Sequence, residues 1–318
     1  MPKTQLKTAP LGSTGLEITR VGFGAWAIGG DGWEFGWGPQ EDDESVAAIQ
    51  HALEQGINWI DTAAAYGSGR SEQVVGRALE GVAERPHVFT KCSLLEGPDR
   101  RVIHNLRRDS VLAEAEASLE RLGIDAIDLY QIHWPIPEAD IEEGWSALAE
   151  LKEDGLVRHI GVSNFDVEQL HRIQQIAPVE TLQPPYSLVA REVEDQILPY
   201  CQREDIGVIA YSPMGSGLLT GRMTRERIDG LPEDDWRKHD TRFQEPQLSR
   251  HLAQVERLKA VAQRYDATPG AVAVAWTLRN PAVDGAIVGF RRPDQVDPIL
   301  TAAGLELTDD DVAEIEAR

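Results

Sequence analysis

The sequence is short of cysteine, short of lysine and without a long apolar run, and each shortage removes a class of protein. Its two cysteines, Cys92 and Cys201, make neither a metal-ligand spacing nor a disulfide framework. Free cysteine usually packs as a small hydrophobe, and Cys92 is read that way. No stretch comes near the roughly 20 apolar residues that a membrane helix needs. The opening run "MPKTQLKTAPLGSTG" has no apolar core, so it reads neither as a signal peptide nor as a transit peptide. A cytoplasmic protein with no membrane partner is expected. Basic residues are outnumbered, 31 against 53 acidic, for a formal net charge of −22. Such a surface repels polyanions, which argues against a nucleic-acid partner. Only six of the basic residues are lysines, so a lysine in an apolar setting needs a reason.

What the chain does have is alternation. Short β-branched runs, "RVGFGAW", "INWIDTA", "HVFTKC", "IDLYQIHW", "VRHIGVSN", "TLQPPYS", "GVIAYSP" and "GAIVGF", are the strand candidates. Between them lie segments such as "DESVAAIQHALEQG", "SEQVVGRALEG", "SVLAEAEASLERLG" and "EEGWSALAELKEDG", with apolar residues at helical spacing and glycine at several ends. Strand–helix repeats with short links demand a parallel sheet covered by helices. An open doubly wound sheet should carry G-x-G-x-x-G after its first strand, and "GFGAWAIGG" lacks that spacing. A closed (β/α)8 barrel is therefore expected, as a single domain over residues 1–318. The stretch "LKTAPLGSTGLEIT" reads as a hairpin ahead of it, and "LTDDDVAEIEAR" as a terminal helix capped by Thr308. Residues 215–247 read as a long polar loop with little periodicity.

Chemistry in such a barrel gathers at the C-terminal strand ends. The second candidate strand ends on Asp61, the third on Lys91 and the fourth on His133, and Tyr66 can fold back over them from its loop. Alone, an acid at a strand end is a loop cap, and a tyrosine before glycine a half-buried core residue. Lys91 is harder to dismiss, because an unpaired ammonium in an apolar strand costs several kcal/mol, and Asp61 on the adjacent strand is the available anion. A cation beside a phenol favours its ionised form and lowers its pKa. The four residues together suit protonation of an oxygen that becomes negative as something adds to its carbon.

The other half of the rim carries Ser163, Asn164, Gln183 and Tyr211, neutral groups for a carboxamide and an aromatic face for a flat ring. Gly215 and Gly217 follow the seventh strand, and Arg222, Arg291 and Arg292 bring positive charge to the loops where barrels commonly hold phosphates. These features describe a nicotinamide dinucleotide lying across the mouth.

With "GFGAW", "INWIDTAAAYGSGRSEQVVGRAL", "FTK", "DLYQIHW", "IGVSNF", "LQPPYS", "AYSPMGSGLLTG" and "IVGFRRPDQV" in that order, the chain resembles the aldo-keto reductase superfamily over nearly its whole length. The resemblance implies a (β/α)8 barrel closed at its base by the hairpin, with the long loop after the seventh strand clasping the cofactor. It implies Tyr66 as general acid, assisted by Asp61 and Lys91, with His133 orienting an aldehyde or ketone carbonyl that receives hydride. It implies that Gly24, Ala25, Trp26 and Asp61 adjoin the cofactor, and that Ser163, Asn164 and Gln183 hold its carboxamide while Tyr211 stacks on its ring. Ser212, Pro213, Met214, Gly217 and Leu218 would line the pyrophosphate with Arg222 beside them, and Gly289, Arg291 and Gln295 would meet the adenosine end. Arg291 offers donors and charge to a 2′-phosphate, so NADP(H) is expected first. Phe290, Pro298 and Ile299 depart from the family pattern there and leave NAD(H) possible. Trp26, Trp33, Trp37 and Trp134 would form an aromatic wall for a small carbonyl substrate, in a monomer or weak homo-oligomer.

Two other readings compete. Potassium-channel β-subunits resemble the same superfamily, and as such a module the chain would sense nucleotide with little turnover. A metal-dependent barrel hydrolase would need several ligands at strand ends, but His51, His87, His104, His159 and His171 fall in helices, loops or strand starts, so no metal is expected.

Overall fold

A computed structural model describes residues 6–233 and 235–317. Eight strands close one parallel barrel in chain order: β1 (Val21–Gly24), β2 (Trp59–Asp61), β3 (His87–Cys92), β4 (Ile127–Ile132), β5 (Val157–Ser163), β6 (Thr181–Gln183), β7 (Gly207–Tyr211) and β8 (Gly285–Gly289). Each lies within a run expected from the sequence. The helices α1 (Asp42–Glu54), α2 (Arg70–Leu79), α3 (Arg108–Leu122) and α4 (Ile141–Glu153) alternate with the first strands. Strands covered on both faces explain why nearly every strand residue is buried and why apolar residues occur on both faces.

The two-residue period of a strand sorts the residues into an outer and an inner set. Ile60, Val88, Cys92, Tyr130, Ile160 and Leu182 join the main core between strands and helices. The inner set starts apolar: Trp59, Phe89, Leu129, Ile209 and Ile287 form a second cluster inside the barrel. Two residues further along four of those strands come Asp61, Lys91, Gln131 and Tyr211. A strand thus contributes first an apolar residue to the barrel floor and then a polar one to its rim, which places the polar cluster at the C-terminal mouth.

The hairpin pairs Thr8–Pro10 with Glu17–Thr19 and seals the opposite end. Leu11 and Ile18 are wholly buried in the inner cluster, and the Asn58 carboxamide accepts from Thr19 N at 2.8 Å while donating to Glu17 O at 2.8 Å. Trp59 fills the space above and donates its indole N–H to Thr19 O at 2.8 Å. It does so only because β1 carries glycine opposite: a Cβ on Gly22 would stand 2.1 Å from the Trp59 ring. Gly22→Ala is therefore expected to cost about 3 kcal/mol of stability, the upper end for overpacking a core. An unchanged denaturation midpoint would refute this packing.

Two segments depart from expectation. A second hairpin, Leu94–Glu96 with Val102–His104, follows β3 and was not foreseen. The described residues of 215–247 are not a structureless loop: they hold the short helix Arg225–Asp229, three single turns and four apolar residues, Leu218, Met223, Ile228 and Phe243, that cluster with Leu248 just beyond. The terminal helix Asp309–Glu316 starts as expected, with Thr308 Oγ1 accepting from Asp311 N and the Asp311 carboxylate accepting from Thr308 N. Among the described residues, no helix is long and apolar enough to cross a membrane.

Candidate active site

A cleft of about 1610 Å³ opens at the C-terminal strand ends. Beneath it Lys91, fully buried, spends its three donors on Asp61 Oδ1 at 2.6 Å, Thr62 O at 2.9 Å and the Tyr66 hydroxyl at 3.4 Å. Asp61 in turn accepts from Gln183 Nε2 at 2.8 Å. His133 meets the Tyr66 ring edge-on at 5.6 Å. The three residues expected from the strand ends converge with Tyr66, which reaches them from its loop.

Their electrostatics differ from expectation in one respect. Burial pushes the Tyr66 phenol well above its ordinary value, and Asp61 pushes the same way. The expected lowering by Lys91 is not found, because that ammonium lies nearer Asp61 than Tyr66 and its charge is largely cancelled. Burial also raises Asp61 and lowers Lys91, with their mutual attraction opposing both shifts. His133 falls well below its ordinary value through burial and then Lys91, and is neutral at physiological pH. Its Nδ1 has no partner among the described residues.

The neutral groups are already partly committed. Ser163 Oγ donates to Gln183 O at 2.8 Å, and Asn164 Nδ2 donates to His133 O at 2.9 Å and Ser163 Oγ at 3.0 Å. Asn164 Oδ1 accepts from the Tyr211 hydroxyl at 2.8 Å, which fixes that ring at the cleft wall. Asn164 therefore braces His133 and Tyr211, and Gln183 Oε1 is the acceptor left for a carboxamide.

Gly24, Trp26, Ser212, Pro213, Met214, Gly217, Arg222, Gly289 and Gln295 line the cleft. Ala25 and Leu218 do not. Ala25 is buried in the main core, and Leu218 points into the apolar cluster of its own segment. Gly215 N and Gly217 N are bonded to Ser212 O and Met214 O, so those glycines offer close approach more than free donors. Arg291 is tied by Nε to Gln40 at 2.6 Å, by Nη1 to Trp37 O at 3.1 Å and by Nη2 to Pro39 O. All three partners are neutral, so its charge is not paired by them, and two of its five N–H groups have no partner among the described residues. Arg292 is exposed and paired with Asp294.

The tryptophans Trp26, Trp33, Trp37 and Trp134 all reach the cleft. Sequence reasoning missed Trp236 and Arg237, which join this wall from the 215–247 segment, and Leu94, Val102 and His104 from the second hairpin. The one signal available was a lone tryptophan in the polar run "EDDWRKHD". Among the described residues, no three His, Cys, Asp or Glu side chains gather in a way that could hold a metal ion.

Comparison with known proteins agrees with the barrel fold and gives the family. Residues 20–318 match the model of the aldo/keto reductase family. The chain is 40% identical over 308 residues to aldo-keto reductase YhdN of Bacillus subtilis, spanning 96% of this chain and 91% of that one. It is 34% identical to the NADH-specific methylglyoxal reductase of Escherichia coli, with 96% of each covered. Among solved structures, the glycerol dehydrogenase AKR11B4 of Gluconobacter oxydans superposes with a TM-score of 0.87 at 38% identity, over 99% of this chain and 95% of that one.

Proposed function

Because the chain belongs to the aldo/keto reductase family, we propose that Asp61, Tyr66, Lys91 and His133 carry out the reduction of an aldehyde or ketone with NADP(H) as the preferred nucleotide. A bound nicotinamide would supply hydride to the carbonyl carbon. The chain supplies the proton. The observation that carries this is the direction of one hydrogen bond: the Tyr66 oxygen accepts from Lys91 and makes no donation among the described residues. Its own hydrogen is left for an oxygen in the cleft. A buried phenol that stays protonated at neutral pH is a proton donor in its resting state. His133, neutral, offers a second hydrogen bond to the same oxygen without adding charge.

The nucleotide fits the residues present. Gln183 Oε1 is free to accept from a carboxamide, Tyr211 is held as a flat wall, and Arg291 presents an uncancelled charge on a fixed guanidinium. The test is consumption of reduced nicotinamide with a panel of aromatic and short aldehydes, including methylglyoxal, the substrate in the name of the Escherichia coli relative. Tight nucleotide binding without turnover would overturn the reading in favour of a sensing module.

That same relative is named NADH-specific, so the choice of nucleotide needs its own measurement. Arg291→Ala is expected to raise the KM for NADPH about tenfold, the loss of one charge-assisted contact, and that for NADH less than about threefold. An equal rise for both would make Arg291 only a strut of residues 37–40 and remove the preference.

A further inference from the structure

Of the tryptophans beside the proposed proton donor, Trp26 is the one nearly parallel to Tyr66, with centroids 6.3 Å apart, while Trp33 lies tilted at 6.2 Å. Two of its supports are local: its indole N–H donates to Phe35 O at 3.1 Å, and Trp37 meets it edge-on at 5.2 Å. The third comes from across the cleft. Trp236 stacks on it at 5.3 Å with 20° between the ring planes. Trp236 rests in turn on Phe243, 6.4 Å away, which belongs to the apolar cluster of the 215–247 segment. Its neighbour Arg237, fixed to Asp235 by bonds of 2.9 and 2.6 Å, lies 4.5 Å over the Trp37 ring.

We propose that Trp236 is a positioning residue for the carbonyl site, one that holds the Trp26 face and so sets selectivity for carbonyl compounds broad enough to reach it. The proposal rests on the reductase reading above. It gives the 215–247 segment, connected by sequence only with the dinucleotide, a second role in choosing the substrate. The Trp236 indole nitrogen is buried and has no acceptor among the described residues. The support therefore lies in the ring faces, and another aromatic ring should replace it. A short aliphatic aldehyde can meet Tyr66 without covering Trp26, and should be indifferent to the change.

The experiment compares p-nitrobenzaldehyde with propanal in the full chain. Trp236→Ala is expected to raise the KM for p-nitrobenzaldehyde about tenfold, while its kcat, the KM for propanal and the KM for nucleotide stay within about twofold. Trp236→Phe should return the aromatic KM to within about twofold of the wild type. Trp236→Leu, which keeps apolar bulk and loses the ring, should behave as alanine does and stands in for it if the alanine chain does not fold. Equal changes for both aldehydes, a loss of kcat together with nucleotide affinity, or no rescue by phenylalanine would overturn the proposal. A wild-type chain that reduces neither aldehyde with either nucleotide would instead overturn the reductase reading, and this inference with it.

Discussion

Tyr66→Phe is expected to slow carbonyl reduction about 10³-fold while leaving nucleotide affinity within about twofold, since a positioned general acid contributes roughly 10²–10⁴ to the rate. The variant removes one oxygen and keeps the ring that packs against Trp26, Trp33 and His133. Lys91 keeps Asp61 and Thr62 O as acceptors, so the charge network beneath survives. The pH profile provides a second signature. Burial holds the phenol well above its ordinary value, so the proton-bearing form prevails through neutral pH. Reduction consumes that form, and should run level there and decline only on the alkaline side. Alcohol oxidation consumes the phenolate, and should climb with pH. Measuring kcat in both directions across pH checks the assignment, and a phenylalanine variant within tenfold of the wild type would remove it.

Much of this site was legible because its residues obey the strand period. Asp61, Lys91 and His133 end strand candidates, and their neighbours in sequence are neighbours in the barrel, so convergence follows from topology. What sequence could not supply was the partner each group finds. Arg291 reads as a free cation, yet three of its donors hold the carbonyls and amide of residues 37–40. Asn164 reads as a carboxamide ligand, yet its amide is spent on His133, Ser163 and Tyr211. The phenol's shift had the wrong sign for a similar reason: charge alone suggested lowering, whereas desolvation and the Asp61 partner decide the outcome.

The segments that were misread lack a period. Leu218, Met223, Ile228, Phe243 and Leu248 follow neither a strand nor a helix spacing, so their cluster is visible only in three dimensions. The hairpin after β3 is two strands of three residues with charged and turn residues between them, too short to register as a pattern. Both lie on the rim. The barrel wall must satisfy a regular ladder and shows it in sequence, whereas rim segments are fixed by individual contacts such as Glu34 accepting from Val102 N at 2.9 Å.

Lys91→Met should separate the two jobs of the buried pair. It leaves the Asp61 carboxylate, 2% exposed, with no cation, and breaking one side of a buried ion pair costs about 3–5 kcal/mol. Burial already pushes Asp61 upward and Lys91 opposes that, so its removal raises the folded-state pKa further. An acid whose folded value exceeds its unfolded one destabilises the native state more as pH rises between the two values. The deficit relative to wild type should therefore be largest at neutral pH and shrink as pH falls toward the unfolded value of about 3.9. Pairing the change with Asp61→Asn removes the stranded charge, and the double variant should recover most of the lost stability. Turnover should not recover: both variants lack the donor that holds the Tyr66 oxygen, a loss of about 10²-fold or more by analogy with deleting one preorganised hydrogen bond. Denaturation midpoints across pH, set beside kcat for the same proteins, decide the matter. If the double variant regains activity along with stability, the pair is scaffold, and the proton donor works without it.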